Sequence, residues 1–289
     1  MIPEPQFVKL PKHFWANIRT ISQRIGYTLR GGTGQILVPT VDQVRQCMER
    51  LGLSASHLMN DKSRATKLGE TVLEYYRHRA DMLNNYVEPR LLDADAARAM
   101  FEELQKNIPT KRTPPMNKQK GEKKAPAYFT ASINLLIEQN AEGMPCDYDP
   151  RELTTVTMNG APLRTLARRV DGAFPGPVNP IAVWEIKEYY YTTTFGSRVA
   201  DGVYESLLDG MELEELREQE KIDVKHYLMV DSHYTWWECG RSYLCRIMDM
   251  LHMGYVDEVL FGREITERMP KIVKEWVALA KARRQALGQ

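Results

Sequence analysis

Apolar positions in the first third of the chain return at helical spacing. Val41, Val44, Met48 and Leu51 follow Pro39-Thr-Val-Asp and predict an amphipathic helix that Gly52 ends. Residues 13–30 carry a helical pattern that runs out into the glycine-rich loop 30–35. Residues 53–59 predict a short second helix capped by Ser54, which gives 41–59 the outline of a helix-turn-helix. Longer helices are expected over 69–86 and over 94–106, the latter opening at Asp93. Residues 1–105 therefore read as a helical region, expected to help bind DNA.

The pattern breaks at 106–126, where seven Lys or Arg and four Pro accompany almost no large apolar residue. That composition predicts a linker or a mobile basic arm. Beyond it, helix and strand alternate. A helix is expected over 128–139. A hairpin follows, with strands 153–158 and 163–170 about the Asn159-Gly160 turn dipeptide. Strands are predicted over 181–190, 225–230 and 256–261, and helices over 197–218, 242–253 and 264–287. The order α-β-β-β-α-β-α-β-α implies an α/β (α+β) unit over 127–289, a mixed central sheet flanked by helices.

Charge sharpens this division. The net charge of +1 splits into +8 over residues 1–126 and −7 over 127–289. A basic half suits a polyanionic partner and an acidic half suits a divalent cation. No apolar run is long enough to span a bilayer, no signal-peptide segment opens the chain, and a cytoplasmic protein is expected. Cys47, Cys146, Cys239 and Cys245 form no CxxC pair and no zinc-ligand spacing with histidine, so they are expected as reduced, partly buried thiols.

The segment that carries chemistry runs from Val170-Asp171 through Gly172–Pro180 to Ile181-Ala-Val-Trp-Glu185-Ile-Lys187. Asp171 is placed at the end of one strand, and the Gly- and Pro-rich residues after it are read as a turn. Side chains alternate across a strand, so Glu185 and Lys187 share one face while Trp184 and Ile186 take the other. The turn brings Asp171 beside Glu185. Two carboxylates at one point repel unless a cation joins them, and Mg2+ accepts a few carboxylates plus water and phosphate oxygens. A lysine on the same face can hold or help deprotonate a water, or offset transition-state charge. Facing the site, Lys187 is expected to leave no buried partner unpaired if truncated. The alternative is a surface strand with an unrelated turn aspartate. Against it stand the apolar strand before Glu185, the strand before Asp171, and an acid-bearing helix before both.

Asp171, thirteen intervening residues, then Glu185-Ile186-Lys187 resembles the signature of the PD-(D/E)xK nuclease superfamily, in which type II restriction endonucleases are a large group. The resemblance covers roughly residues 127–289, and Val170 stands where the motif has proline. It implies a restriction-endonuclease-like fold and a Mg2+-dependent endonuclease that leaves 5′-phosphate and 3′-hydroxyl ends. Asp171, Glu185 and the carbonyl of Ile186 would be the metal ligands and Lys187 a catalytic residue. It also implies a third acid from the preceding helix, matched here to Glu138 with Glu142 as fallback. A double-stranded DNA partner and a homodimer on a palindromic site follow from the same resemblance. Within that frame Arg30, Lys118, Lys120, Lys123, Lys124 and Arg198 are expected to contact DNA. A defence or recombination nuclease, and a DNA-binding regulator that no longer cuts, are the alternatives.

Other features add little. The glycines at 31–34 lack the GK[ST] ending of a phosphate-binding loop, so no nucleotide cofactor is expected. His226, His233 and His252 have no ligand spacing, and Trp236-Trp237 read as core. Asp201 and Glu205, one helical turn apart, could reach the sheet, with a solvated face the favoured placement.

Overall fold

A computed structural model describes the chain except for residues 9, 30–33, 61–63, 111, 118–120, 122–123, 192–196 and 287–289. Three helices build the N-terminal layer: α1 (Lys12–Ile25), α2 (Val41–Arg50) and α3 (Lys67–Asp81). The Thr40 side chain accepts the Gln43 N–H while Gln43 returns a bond to the Thr40 N–H, and Thr66 caps α3 through the Gly69 N–H. These caps satisfy amide donors that a helix start leaves open. The helices enclose Phe14, Trp15, Ile18, Val44, Met48, Val72, Tyr75 and Tyr76. The expected helix over 53–59 is not formed. Those residues make turns, and Met59 bridges Ala65, so the helix-turn-helix outline is lost. Gly69 permits this packing, because a Cβ there would sit 1.9 Å from the Leu58 carbonyl oxygen.

The next helix, α4 (Ala94–Asn107), moves the expected boundary at 105/106. Phe101 and Ile108 share a core with α5 (Tyr128–Asn140) and the sheet, so α4 belongs to the second unit rather than to the N-terminal layer. The reason is the apolar stripe of α4, which packs chiefly on α5. Between them, Met116 bridges Pro126, and the Asn117 N–H donates to the Ala125 carbonyl. The described ends of the basic segment are therefore paired rather than extended.

The second unit holds two sheets. The hairpin β1 (Thr155–Met158) and β2 (Ala161–Thr165) turns at Asn159 and Gly160, whose φ values of 52° and 82° suit an Asn-Gly turn. The main sheet has the order β3 (Gly172–Phe174), β4 (Ala182–Glu188), β5 (Lys225–Asp231), β6 (Glu258–Phe261). The first pair is antiparallel and the next two are parallel. The α/β expectation of a mixed sheet flanked by helices holds. The strand expected over 163–170 ends at Thr165, however, and 172–174 is a strand rather than part of a turn. Asp147 extends the same sheet by bridging Ala173.

Alternation along β4 sets the two faces. Ala182 and Trp184 enter a core with α5 and α8 (Ile265–Ala286), where Trp184 stacks on Trp276 at 5.3 Å. The other face carries Val183, Glu185 and Lys187 and is covered by α6 (Ser197–Glu220); Leu228 and Val230 continue it under α7 (Arg241–His252). The N-terminal layer docks on α7 through a buried Arg79–Asp249 pair at 2.9 Å, to which Tyr75 adds a hydroxyl bond of 2.6 Å. Among the described residues the four cysteines are free thiols, and no helix is long and apolar enough to cross a membrane.

Candidate active site

The register of β3 on β4 brings Asp171 to Glu185. Gly172 lies opposite Trp184, so the residue before it lies at Glu185. The Asp171 N–H points to both the Trp184 carbonyl (3.1 Å) and Glu185 Oε1 (3.2 Å), and Asp171 Oδ2 accepts the Ile186 N–H at 2.9 Å. Asp171 therefore lies immediately before a strand; it does not end one. Gly172 makes the close pairing possible, since a Cβ there would lie 2.1 Å from the Trp184 ring. A strand residue sends its N–H and C=O to the same edge, so the Ile186 carbonyl also faces the Asp171 side.

Lys187 shares the face of Glu185 and is nearly as deeply buried. Its Nζ donates to Glu185 Oε2 at 2.7 Å and to Glu205 Oε2 at 2.9 Å. Burial alone would lower this ammonium, but Glu185 and then Asp171 outweigh it and hold its pKa above the usual lysine range. Lys187 thus remains a charged donor. The expectation that its truncation leaves no buried partner is corrected, because Glu185 is fully buried and bonded to it. Gly202 lets α6 approach: a Cβ there would meet the Tyr189 hydroxyl at 2.8 Å and Lys187 Cδ at 3.1 Å.

Helix α6 supplies two further acids. Glu205 reaches Lys187, correcting its assignment to a solvated face, whereas Asp201 is exposed. One turn on, Asp209 is fully buried, and its Oδ1 has no hydrogen-bond partner among the described residues. Burial, and then the charge of Glu185, push its carboxyl up to about 7, against the opposing pull of Arg168. Arg168, on the bend between β2 and β3, joins them all. It lies 2.8 Å from Glu185 Oε1, 2.6 Å from Asp209 Oδ2 and 3.3 Å from Glu205 Oε2. The i, i+4 spacing of Glu205 and Asp209 was a visible signal; for Arg168 the sequence carried none.

Glu138 does not join this cluster. Its helix packs on the Trp184 face, opposite Glu185, and its carboxylate bonds Arg112 (3.2 Å) and Thr110 (3.1 Å). The fallback Glu142 pairs with Lys281. Arg198 is exposed at the start of α6, where its carbonyl accepts the Tyr189 hydroxyl at 3.2 Å. Lys124 is exposed beside the paired ends of the basic segment. Arg30, Lys118, Lys120 and Lys123 lie outside the described residues. A cavity of about 390 Å³ beside α5 is lined by Phe101, Arg112, Asn134 and Tyr148 among others; Arg112 pairs with Glu138, and none of the acid cluster lines it.

Among the described residues no group of three or more His, Cys, Asp or Glu stands as a ready-made metal cage. The cluster does carry excess negative charge. Four carboxylates (Asp171, Glu185, Glu205, Asp209) face two cations (Lys187, Arg168), and one buried carboxylate oxygen is unpaired. Glu185 and Asp209 are fully buried, whereas Asp171 is half-buried and Glu205 is 41% exposed, so solvent offsets part of the excess and a further cation or a proton would offset the rest. A donor set of one or two carboxylates and a carbonyl fits Mg2+, which keeps several waters.

Helices thus cover a mixed sheet whose α6 face carries an acid cluster threaded by Lys187 and Arg168. The chain belongs to the family described as Domain of unknown function (DUF7687), whose model matches residues 92–276. Residues 1–86 match a second family, Domain of unknown function (DUF7690). The gap between the two matches falls just before α4, where the core also changes. No curated protein and no solved structure matches the chain.

Proposed function

We propose that the protein is a Mg2+-dependent endonuclease of double-stranded DNA, of type II restriction type. The observation that carries the reading is the β3–β4 register, which sets Asp171 against Glu185 with Lys187 on the same strand face. The sheet supports it: an antiparallel pair carrying the acids, followed by parallel strands, agrees with a restriction-endonuclease-like core. Asp171, Glu185 and the Ile186 carbonyl would hold the metal. Mg2+, when bound, supplies positive charge to a phosphate oxygen and makes a water more acidic. Lys187 would hold the attacking water and offset charge on the phosphate. The basic segment 106–126 and Arg198 would follow the DNA backbone, and a two-fold dimer would match a palindromic site.

Plasmid DNA incubated with the protein and Mg2+, followed by sequencing of the ends, tests this. Discrete ends bearing 5′-phosphates are expected. Random ends would replace the site-specific reading with a nonspecific nuclease, and intact plasmid would refute cleavage. Full cleavage in excess chelator would refute the metal.

A further inference from the structure

The acid cluster already contains a cation that can leave. Both oxygens of Glu185 are occupied: Oε1 faces Arg168 Nη1 (2.8 Å) and the Asp171 N–H (3.2 Å), and Oε2 faces Lys187 Nζ (2.7 Å) and Arg168 Nη2 (3.2 Å). A metal ion that takes Glu185 as ligand must displace one of these donors. The Asp171 N–H is fixed by the strand pairing. Lys187 is only 7% exposed, with Gly202 and Tyr189 packed against it and its carbonyl bonded by the Trp236 indole at 3.2 Å. Arg168 differs in both respects. Its side chain is 23% exposed, and it stems from a bend outside any strand or helix. Moving it breaks no backbone ladder.

What could receive the guanidinium is set by its shape. A planar fork that grips carboxylates grips phosphate with the same geometry. Asp209 supplies the second observation: it is fully buried, it anchors Arg168 at 2.6 Å, and its Oδ1 is left without a partner. The cluster thus retains acceptor capacity that one guanidinium does not fill.

We propose that Arg168 is the resident counter-ion of the acid cluster, and that it exchanges with the divalent cation by moving onto a DNA phosphate. The inference rests on the nuclease reading and adds a regulation to it. Without DNA, Arg168 competes with the metal for Glu185, and the cluster stays charge-compensated. With DNA, the phosphate draws Arg168 away and the acids become available. Metal and DNA then raise each other's affinity by the same factor, since linkage is reciprocal. The arrangement keeps the cluster weakly metalled until substrate is present.

The test uses the full-length chain and Mn2+ alone, with free Mn2+ followed by electron paramagnetic resonance. It is repeated with short random-sequence phosphorothioate duplexes, which resist hydrolysis. In the wild type the duplex should tighten Mn2+ binding by about 5–150-fold, the usual range of such coupling. Arg168→Gln should bind Mn2+ more tightly than wild type without DNA and lose most of the DNA effect. Asp209→Asn removes an anchor of Arg168 without touching Asp171 or Glu185, and should also tighten Mn2+ binding. If the acids were only a negative patch attracting cations, Asp209→Asn would weaken it instead. Circular dichroism checks folding, and Arg168→Lys, which keeps the charge but not the fork, should fall between wild type and Arg168→Gln. Mn2+ binding unchanged or weakened in both Arg168→Gln and Asp209→Asn would overturn the proposal. A wild type whose Mn2+ affinity ignores DNA would overturn the coupling. Intact plasmid under Mg2+ would count against the nuclease reading separately, because the comparison in Mn2+ alone does not depend on cleavage.

Discussion

Replacing Lys187 by methionine tests whether the buried ammonium holds the cluster together. Methionine keeps much of the aliphatic stem, so packing changes little, while the bonds to Glu185 (2.7 Å) and Glu205 (2.9 Å) are lost. Glu205 is 41% exposed and can turn to water. Glu185 is fully buried and cannot, but it keeps Arg168 and the Asp171 N–H. Removing one partner of a buried pair costs about 3–5 kcal/mol when the remaining charge is left alone. Here one charge-assisted bond is lost from a carboxylate that retains another cation, so about 1.5–3 kcal/mol is expected. At about 2–4 °C per kcal/mol for large single chains, the melting temperature should fall by about 3–12 °C. Glu185→Gln combined with Lys187→Met removes both charges, and the double variant should be more stable than the sum of the single losses predicts. Thermal unfolding by circular dichroism gives the numbers. A Lys187→Met protein that melts with the wild type, or a strictly additive double variant, would refute the reasoning. Plasmid cleavage by Lys187→Met should fall by on the order of a hundredfold or more.

Four further outcomes are expected. Trp184→Ala removes a fully buried ring stacked on Trp276 and should cost about 3–5 kcal/mol in chemical denaturation; Gly172→Ala forces a Cβ to 2.1 Å from the same ring and should cost about 1–3 kcal/mol while displacing Asp171 and reducing cleavage. Burial raises the Asp231 carboxyl to about 8 and that of Glu188 to about 7. Because these folded-state values lie above the unfolded ones, their stabilising contribution is complete below about pH 4 and is lost as pH rises through about 7 to 8; Asp231→Asn should therefore flatten the decline in urea midpoint over that window, and an unchanged slope would count against it. Neutralising Lys118, Lys120, Lys123 and Lys124 together should weaken DNA binding evenly across sequences and reduce its salt dependence, whereas an unchanged salt slope would leave the segment a tether.

Much of the site was legible from local pattern. Period-two alternation in 181–187 put Glu185 and Lys187 on one face and Trp184 on the other, and β4 is built that way. The Asn159-Gly160 turn, the Asp93 cap and the helices after residue 196 were equally local, each depending on backbone preferences within a few residues. Such patterns report which side chains share a face of their own element. They do not report which element covers that face. Helix α5 offered an acid, Glu138, but its apolar residues pack on the Trp184 side of the sheet, while α6, distant in sequence, brings Glu205 and Asp209 over Glu185. Arg168 sits on a bend with no periodicity to mark it, and three residues read as a turn became β3 because β4 offered a free edge on one side and Asp147 closed the other. Placement of α4 followed the same logic, since its apolar stripe is satisfied by α5 and not by the helices before it. These outcomes depend on burial between residues far apart in the chain, where the free energy of covering apolar surface is decided by the whole packing rather than by any segment alone.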